Sequence, residues 1–302
     1  MIRPGALGEP LLLLAVVAGL ALAVWRGDIY TVSLLVIVAV HVIATTGLTL
    51  LLGCAGQISL AQAAFYGLGA YGSMIGTVLL GWNPWLALVA TAAGNGLLAY
   101  LIGRPALRLH GHYLALATLG FGIIVNIVLV QETAITGGPT GIAGIPKLSL
   151  GPVSLASDRS YFVFVWGVAL ALLLACRRLV TGSAYGRVLR ALQASEVATA
   201  SVGIDVARYK LQVFVLTAVL GSLAGSLFAH YLTVISPSEF GFDVSIEFLV
   251  MAVIGGLGSV WGALFGIPGS FLAVPVTAVT MNVVSEARTA EKSSRPARFS
   301  RS

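Results

Sequence analysis

Long apolar runs separated by short polar links make up most of the chain. A run of about 17–25 apolar residues is the length that crosses a bilayer as a helix. By that criterion the sequence predicts membrane spans at 10–25, 29–52, 58–80, 83–103, 113–131, 160–176, 211–235, 244–257 and 260–281. The eighth run is short and ends in glycines, so we expect that span to be broken or re-entrant. This pattern predicts an all-α polytopic membrane protein with about 8–9 transmembrane helices and Gly-rich, partly broken segments.

The links are too short to hold a separate soluble domain, so a single membrane domain is predicted for residues 1–281. Residues 282–302 are rich in Ser, Arg and Ala, a composition with little apolar surface to bury, and we expect a polar, disordered tail there.

The overall composition agrees with that of a membrane protein. Hydrophobic residues make up 58% of the chain and charged residues 9%, whereas soluble domains have about 25% charged residues.

The net charge of +6 comes from a few links and the tail, without interleaved aromatic residues, and it gives no sign of nucleic-acid binding. Lys and Arg instead mark the cytoplasmic links of a membrane protein. The links at 104–112 and 177–210 are basic, whereas 132–159 and 236–247 are poor in Lys and Arg. Counting back from these four links predicts a cytoplasmic N-terminus.

The link at 177–210 is a polar island between apolar spans. Its charged residues are Arg177, Arg178, Arg187, Arg190, Glu196, Asp205, Arg208 and Lys210. Gly186 to Ala200 contains no further Gly or Pro, which predicts one short amphipathic helix that Gly203 can end. Such a helix can fit a cleft in another protein, and it can equally lie on anionic lipid. Composition alone leaves both interpretations open.

Small and polar residues recur at helical spacing along the third predicted span. They are Ser59, Gln62, Tyr66, Gly69 and Ser73. A hydroxyl or amide that faces hydrocarbon is costly, so this face is expected to meet protein or water. Two hypotheses stay open: the face lines a polar pathway, or it lets a neighbouring helix pack closely.

The link at 132–159 contains the run from Thr136 to Pro146, which is rich in Gly and Pro and excludes a regular helix. We expect a structured external loop there, with Thr136, Gly137, Gly138 and Gly141 as its candidate residues. The alternative is a simple connector.

Several functional classes lack their usual residues. No Asp or Glu lies between Asp28 and Glu132, which argues against an ion-coupled carrier with intramembrane carboxylates. The phosphate-binding pattern G-x-x-x-x-G-K-[ST] is absent, so energy for uphill transport has to come from a partner. His41 and His230 lack carboxylates at metal-ligand spacing, and no metal site is predicted. We therefore expect a transport subunit rather than an enzyme.

Five sequence motifs, in order, resemble the permeases of branched-chain amino-acid ABC importers of the LivM type. They are GQISLAQAAFYGLGAY (56–71), GHYLALATLGFG (111–122), TGGPTGI (136–142), GRVLRALQASEVATASVGID (186–205) and GGLGSVWGALFG (255–266). The resemblance covers residues 29–266. Beyond Gly266 the sequence departs from the family pattern, with Pro268 and Pro275 inside its last apolar run. A truncation or frameshift is one explanation of that departure.

The resemblance implies an importer subunit in the bacterial cytoplasmic (inner) membrane. Its implied partners are a second homologous permease, two ATP-binding subunits and a periplasmic substrate-binding protein. This chain itself would bind no cofactor, because ATP and Mg sit on the partner subunits. The family's coupling loop, which contacts the ATPase, corresponds here to Arg187, Arg190, Glu196, Ala198 and Gly203.

The same resemblance favours branched-chain amino acids as the substrate, with urea or short amides as the alternative. A functional alternative of another class is a self-contained channel or ion-coupled carrier. A third is a membrane scaffold that does not transport. The coupling-type loop and the missing intramembrane carboxylates weigh against the channel or carrier.

Overall fold

The computed structural model describes residues 28–107, 109, 111–150 and 153–255. The α-helices are α1 (Ile29–Ala55), α2 (Gln62–Met74), α3 (Pro84–Ala106), α4 (His112–Gln131), α5 (Thr133–Thr136), α6 (Asp158–Thr181), α7 (Ala184–Ala194), α8 (Glu196–Ser201), α9 (Val206–Leu232) and α10 (Phe242–Ile254). A π-helix at Ile75–Leu79 continues α2, and two 3-10 helices occupy Gly138–Thr140 and Pro237–Phe240. The expected spans at 10–25 and 260–281 and the tail at 282–302 lie outside the described residues.

Five of these helices are long and apolar enough to cross a membrane, namely α1, α3, α4, α6 and α9. Each overlaps a predicted span. The agreement is expected, because an apolar run long enough to cross the bilayer forms a helix of about that length. An all-α membrane protein is therefore confirmed. The total of eight or nine transmembrane helices stays a prediction, since the described part of the chain contains five by length and composition.

Helix α9 is the centre of the bundle and packs most extensively against α2, α1 and α3. Helix α1 is buried along most of its length, whereas α3 and α4 expose large apolar side chains such as Leu97, Leu116 and Ile124. Exposed apolar faces of this kind suit contact with lipid or with a neighbouring membrane subunit.

Backbone-to-backbone contact joins α2 and α9. A Cβ at Gly225 of α9 would lie 1.8 Å from the carbonyl oxygen of Tyr66, and one at Gly69 would lie 2.2 Å from that of Ser222. The Ser226 hydroxyl donates to the Gly69 carbonyl at 2.9 Å across the same contact. Small residues that permit close approach are the usual way in which membrane helices associate.

Four two-residue strands lie outside the bundle. They are β1 (Ile142–Ala143), β2 (Ser149–Leu150), β3 (Val153–Ser154) and β4 (Val234–Ile235). Strand β1 pairs antiparallel with β4, and β2 pairs with β3. The β1–β4 pair joins the link that follows α4 to the link that follows α9.

Two sequence predictions differ from the structure. The third span was predicted from residue 58, but helix α2 begins at Gln62, and Ser59 lies before it with its hydroxyl accepting from the N–H of Ala61. One helix was predicted over Gly186 to Ala200, but the chain is extended at Ser195, which separates α7 from α8. The Ser195 hydroxyl accepts from the N–H of Ala198, so this serine caps a new helix instead of continuing the old one.

Candidate functional site

The loop predicted to be cytoplasmic includes helix α7, which packs directly on the end of α6. A Cβ at Gly186 would lie 1.8 Å from the carbonyl oxygen of Val180, so only glycine allows this approach. Leu189 and Leu192 are buried on the same side of α7. The guanidinium of Arg190 donates to the Val180 carbonyl at 2.9 Å. Helices α6 and α7 are therefore held together as one unit.

An aromatic pair joins the same loop to α9. The rings of Tyr185 on α7 and Tyr209 on α9 lie 5.3 Å apart between centroids. Burial, with smaller contributions from Tyr209 and Cys54, raises the pKa of the Tyr185 phenol to about 12. Tyr185 is therefore neutral at physiological pH and contributes packing rather than charge.

An ion pair makes a second connection between the loop and α9. Lys210 Nζ bonds to a carboxylate oxygen of Glu196, the first residue of α8. The Lys210 side chain is only 10% exposed, whereas that of Glu196 is 43% exposed. Removing one partner of such a pair leaves the other charge without compensation. Glu196, expected from the resemblance to contact the ATPase, is thus engaged within this chain.

The remaining coupling-loop candidates, Arg187, Ala198 and Gly203, are exposed. Gly203 has a positive φ of 81° and ends the α8 segment, as predicted. Val197 and Val202 are 82% and 73% exposed on this same surface. The sequence analysis does not single out either valine, although apolar side chains in a polar link were an available signal. Two exposed valines on a polar loop suit contact with another protein.

The candidate face of α2 lies against α9 and α1. The amide of Gln62 donates to the Ala44 carbonyl at 2.8 Å, and a Cβ at Gly221 would lie 3.1 Å from the same amide nitrogen. Tyr66 and Gly69 form the close backbone contact with α9. All five candidates, Ser59 included, are buried within the chain. These contacts correspond to the helix-packing hypothesis, and a pathway role stays a prediction.

A buried histidine connects that face to the external loop. His230 lies 2.7 Å through Nδ1 from the Pro146 carbonyl and 2.8 Å through Nε2 from the Ser73 hydroxyl. A carbonyl can only accept, so Nδ1 carries the hydrogen, and in the neutral ring Nε2 accepts from Ser73. His230 therefore joins α9, α2 and the loop through two hydrogen bonds.

Replacing Ser73 with alanine should destabilise the chain by about 1–3 kcal/mol, because it leaves the buried Nε2 of His230 without a donor. The free energy of unfolding of the purified protein in detergent measures this loss. Ser201→Ala is the matched control: its exposed hydroxyl bonds to the Ala198 carbonyl of its own helix, and the expected change is below about 0.5 kcal/mol. Equal effects of the two variants would contradict the role of His230.

The external loop is held by its own hydrogen bonds and by glycines. The Thr136 hydroxyl donates to the Leu129 carbonyl at 2.7 Å. Gly137, Gly138 and Gly141 have φ of 73°, 59° and 73°, which favours glycine at each position. A Cβ at Gly141 would lie 2.1 Å from the carbonyl oxygen of Ile235, where β1 meets β4. This loop is ordered against the bundle.

Tyr66 and Tyr71 present unsatisfied phenols inside the bundle. Neither hydroxyl has a hydrogen-bond partner among the described residues, and both rings contact Phe240 at 5.4 and 5.7 Å between centroids. The neighbouring carboxyl of Glu239 lies close enough to interact electrostatically with both phenols. Burial raises the pKa of Glu239, although its bond from the Ser236 N–H acts in the opposite sense.

Within the described residues no cluster of three metal-ligating side chains occurs, and Cys54 and Cys176 are both buried free thiols.

The family described as branched-chain amino acid transport system / permease component matches residues 30–292. The match continues past Gly266, where the sequence analysis expects the resemblance to end. The LivM permease protein of the high-affinity branched-chain amino acid transport system of Escherichia coli K12 is 34% identical over 252 residues, covering 76% of this chain and 59% of LivM. The LivH permease protein from Salmonella typhimurium is 27% identical over 241 residues, covering 75% of this chain and 78% of LivH.

The chain thus spans about 59% of the length of the LivM relatives that it matches. The solved structure of PsaBC from Streptococcus pneumoniae in complex with Fab matches with a TM-score of 0.37 and 15% identity, over 85% of this chain and 94% of that chain.

Proposed function

This chain belongs to the family of permease components of branched-chain amino acid transport systems, and from that membership we propose that it is one transmembrane half of an ATP-driven importer for branched-chain amino acids. It is a multi-pass protein of the inner membrane, and the distribution of Lys and Arg favours a cytoplasmic N-terminus. Its partners are a second homologous permease, two ATP-binding subunits and a periplasmic binding protein. The chain has no ATPase site of its own, and ATP and Mg are bound by the partners.

The observation that carries this proposal is the attachment of the α7–α8 loop to the bundle. Gly186 seats α7 on α6, while Tyr185 and Glu196 join the loop to Tyr209 and Lys210 at the start of α9. Helix α9 in turn makes backbone contact with α2. A displacement of the loop therefore moves the helices at the centre of the bundle with it, because packed contacts and not a flexible link connect them.

The exposed surface of the same loop is the proposed contact with the ATPase. It presents Arg187, Val197, Ala198, Val202 and Gly203. Arg190 and Glu196, by contrast, act inside the chain: Arg190 fastens α7 to α6, and Glu196 fastens α8 to α9. The loop thus has a contact side and an attachment side, and coupling needs both.

Replacing Glu196 with glutamine should reduce substrate-stimulated ATP hydrolysis by about tenfold, because losing roughly 1.4 kcal/mol of attachment corresponds to that factor. The measurement is hydrolysis by the reconstituted complex with loaded binding protein. Glu132→Gln, at an exposed acid in the external link, is the matched control and should behave like the wild type.

The charge-swapped variant carrying both Glu196→Lys and Lys210→Glu separates attachment from ATPase contact. If Glu196 acts through Lys210, the swap restores much of the stimulation. If the swap is as defective as the single variant while the chain remains folded, Glu196 contacts the ATPase directly and the attachment role is wrong.

The similar LivM and LivH proteins belong to branched-chain amino acid transport systems. This favours leucine, isoleucine and valine as substrates over urea or short amides. A self-contained channel or ion-coupled carrier would transport without ATP, and the attached loop argues against it. Loading the binding protein with leucine or with urea distinguishes the two substrate classes, since only the transported ligand should stimulate hydrolysis.

A further inference from the structure

A long groove runs between the cytoplasmic ends of α3 and α9, beside the coupling loop. The cavity has a volume of about 960 Å³. The residues that matter for its chemistry are Tyr100, Arg104, Arg208, Lys210, Leu211 and Val215. It lies at the level of the basic links, where the headgroups of the inner leaflet meet the protein.

The groove is polar at one end and apolar at the other. Its α9 wall runs from Val206 to Val215, ten residues that rise roughly 14 Å along the helix axis. The apolar end, with Leu211 and Val215, lies within the membrane span predicted at 211–235. On α3, Leu97 and Leu101 lie close in sequence to Tyr100 of the groove, and both are exposed apolar side chains. The groove therefore has the length and polarity of an amphiphile.

Charge at the polar end favours a phosphate. Lys210 is already paired with Glu196, which leaves Arg104 and Arg208 to face the single carboxylate of Asp205. That carboxylate accepts from the backbone N–H of Arg208 at 3.1 Å as the cap of α9. Arg104 is held over the ring of Tyr100, 5.6 Å from its centroid. The charged side chains at this end therefore sum to one excess positive charge. The guanidinium groups that supply it match the geometry of phosphate oxygens.

From this geometry we propose that the groove binds a glycerophospholipid, with its phosphodiester at Arg104 and Arg208 and an acyl chain along Leu211 and Val215. A soluble partner would reach the polar end only, because the apolar end lies at membrane depth. Basic pockets between helices on the cytoplasmic side of membrane proteins are known to bind lipid headgroups. The site stands independently of the transport function proposed above.

The test is native mass spectrometry of the delipidated full-length chain titrated with dioleoyl phosphatidylglycerol and, separately, with phosphatidylethanolamine. The Arg104→Gln/Arg208→Gln variant is expected to bind both lipids about thirtyfold more weakly, since each basic residue near the membrane surface contributes on the order of 1 kcal/mol. Arg178→Gln, which removes an exposed arginine at the end of α6 outside the groove, is the matched control. It should bind like the wild type.

Three outcomes overturn the proposal. Unchanged lipid binding by the double variant would exclude the two arginines as the headgroup site. Inorganic phosphate that displaces the lipid at the same concentration would identify a small-anion site without an acyl component. Weaker association with the ATP-binding subunits alone, with lipid binding intact, would make the groove a protein interface. The single variants Arg104→Gln and Arg208→Gln keep the test decisive if the double variant fails to fold, and each should bind lipid about fivefold more weakly than the wild type.

Discussion

Replacing Gly225 with valine is expected to prevent the chain from reaching its folded state. The Cβ of any residue at this position would lie 1.8 Å from the carbonyl oxygen of Tyr66 and 3.0 Å from the backbone nitrogen of Ala70. These are backbone atoms of a buried helix, so they cannot move aside as a flexible side chain could. Helices α2 and α9 would have to separate, at a cost of about 3 kcal/mol or more.

The measurement for Gly225→Val is the yield and thermal unfolding of monodisperse protein in detergent. Gly94→Val is the matched control, because Gly94 lies on the exposed side of α3 and no atom lies within 4 Å of its added Cβ. We expect this control to purify normally. A Gly225→Val protein with wild-type stability would mean that α2 and α9 do not meet as described.

Replacing Gly186 with alanine is expected to uncouple the loop without preventing membrane insertion. The added Cβ would lie 1.8 Å from the carbonyl oxygen of Val180, so α7 has to tilt away from the end of α6. The tilt also disturbs the bond from Arg190 to that carbonyl. Stimulated ATP hydrolysis should fall by at least about tenfold, the effect of losing roughly 1.4 kcal/mol of loop attachment.

Gly182→Ala is the control within the same loop. An added Cβ there meets nothing closer than the Arg178 carbonyl oxygen, at 3.5 Å, which is an ordinary contact. This variant should hydrolyse ATP like the wild type. If Gly186→Ala and Gly182→Ala behave alike, the seating of α7 on α6 does not contribute to coupling.

The membrane helices were predictable because apolar length carries the information. The predicted spans at 29–52 and 160–176 lie within α1 and α6, each of which extends a few residues further. The predicted span at 83–103 begins one residue before α3 and ends three residues before α3 ends. The extensions arise because polar residues such as Asp158 and Arg178 start and finish helices without being apolar themselves. Hydrophobicity sets the core of a span and capping chemistry sets its ends.

Tertiary contacts inside the cytoplasmic loop could not be predicted in the same way. The pairing of Glu196 with Lys210 spans 14 positions and depends on the break at Ser195, which an uninterrupted helical pattern conceals. The seat of Gly186 on Val180 needs the angle between α6 and α7, and no spacing rule supplies it. The resemblance singles out this loop, but it cannot separate residues that attach the loop to the bundle from residues that face outward.

The polar face of α2 shows the limit of pattern reading within the bilayer. Spacing alone indicates that Gln62, Tyr66 and Ser73 share one side of a helix. It cannot tell a pathway from a packing surface, because both need small or polar side chains. The bonds from Gln62 to Ala44 and from Ser73 to His230 are visible only once the neighbouring helices are in place.

The central claim is that this loop couples ATP hydrolysis to import. Its most direct test is ATP hydrolysis by the chain co-expressed with a homologous permease subunit and the ATP-binding subunits. The complex would be reconstituted in proteoliposomes, with binding protein added empty, loaded with leucine or loaded with urea. The account predicts that the leucine-loaded protein stimulates hydrolysis in the wild type and that Gly186→Ala loses this stimulation. The charge swap of Glu196 and Lys210 should restore much of the stimulation that Glu196→Gln loses. Equal stimulation of the wild type and Gly186→Ala, or leucine uptake by this chain without ATP, would contradict it.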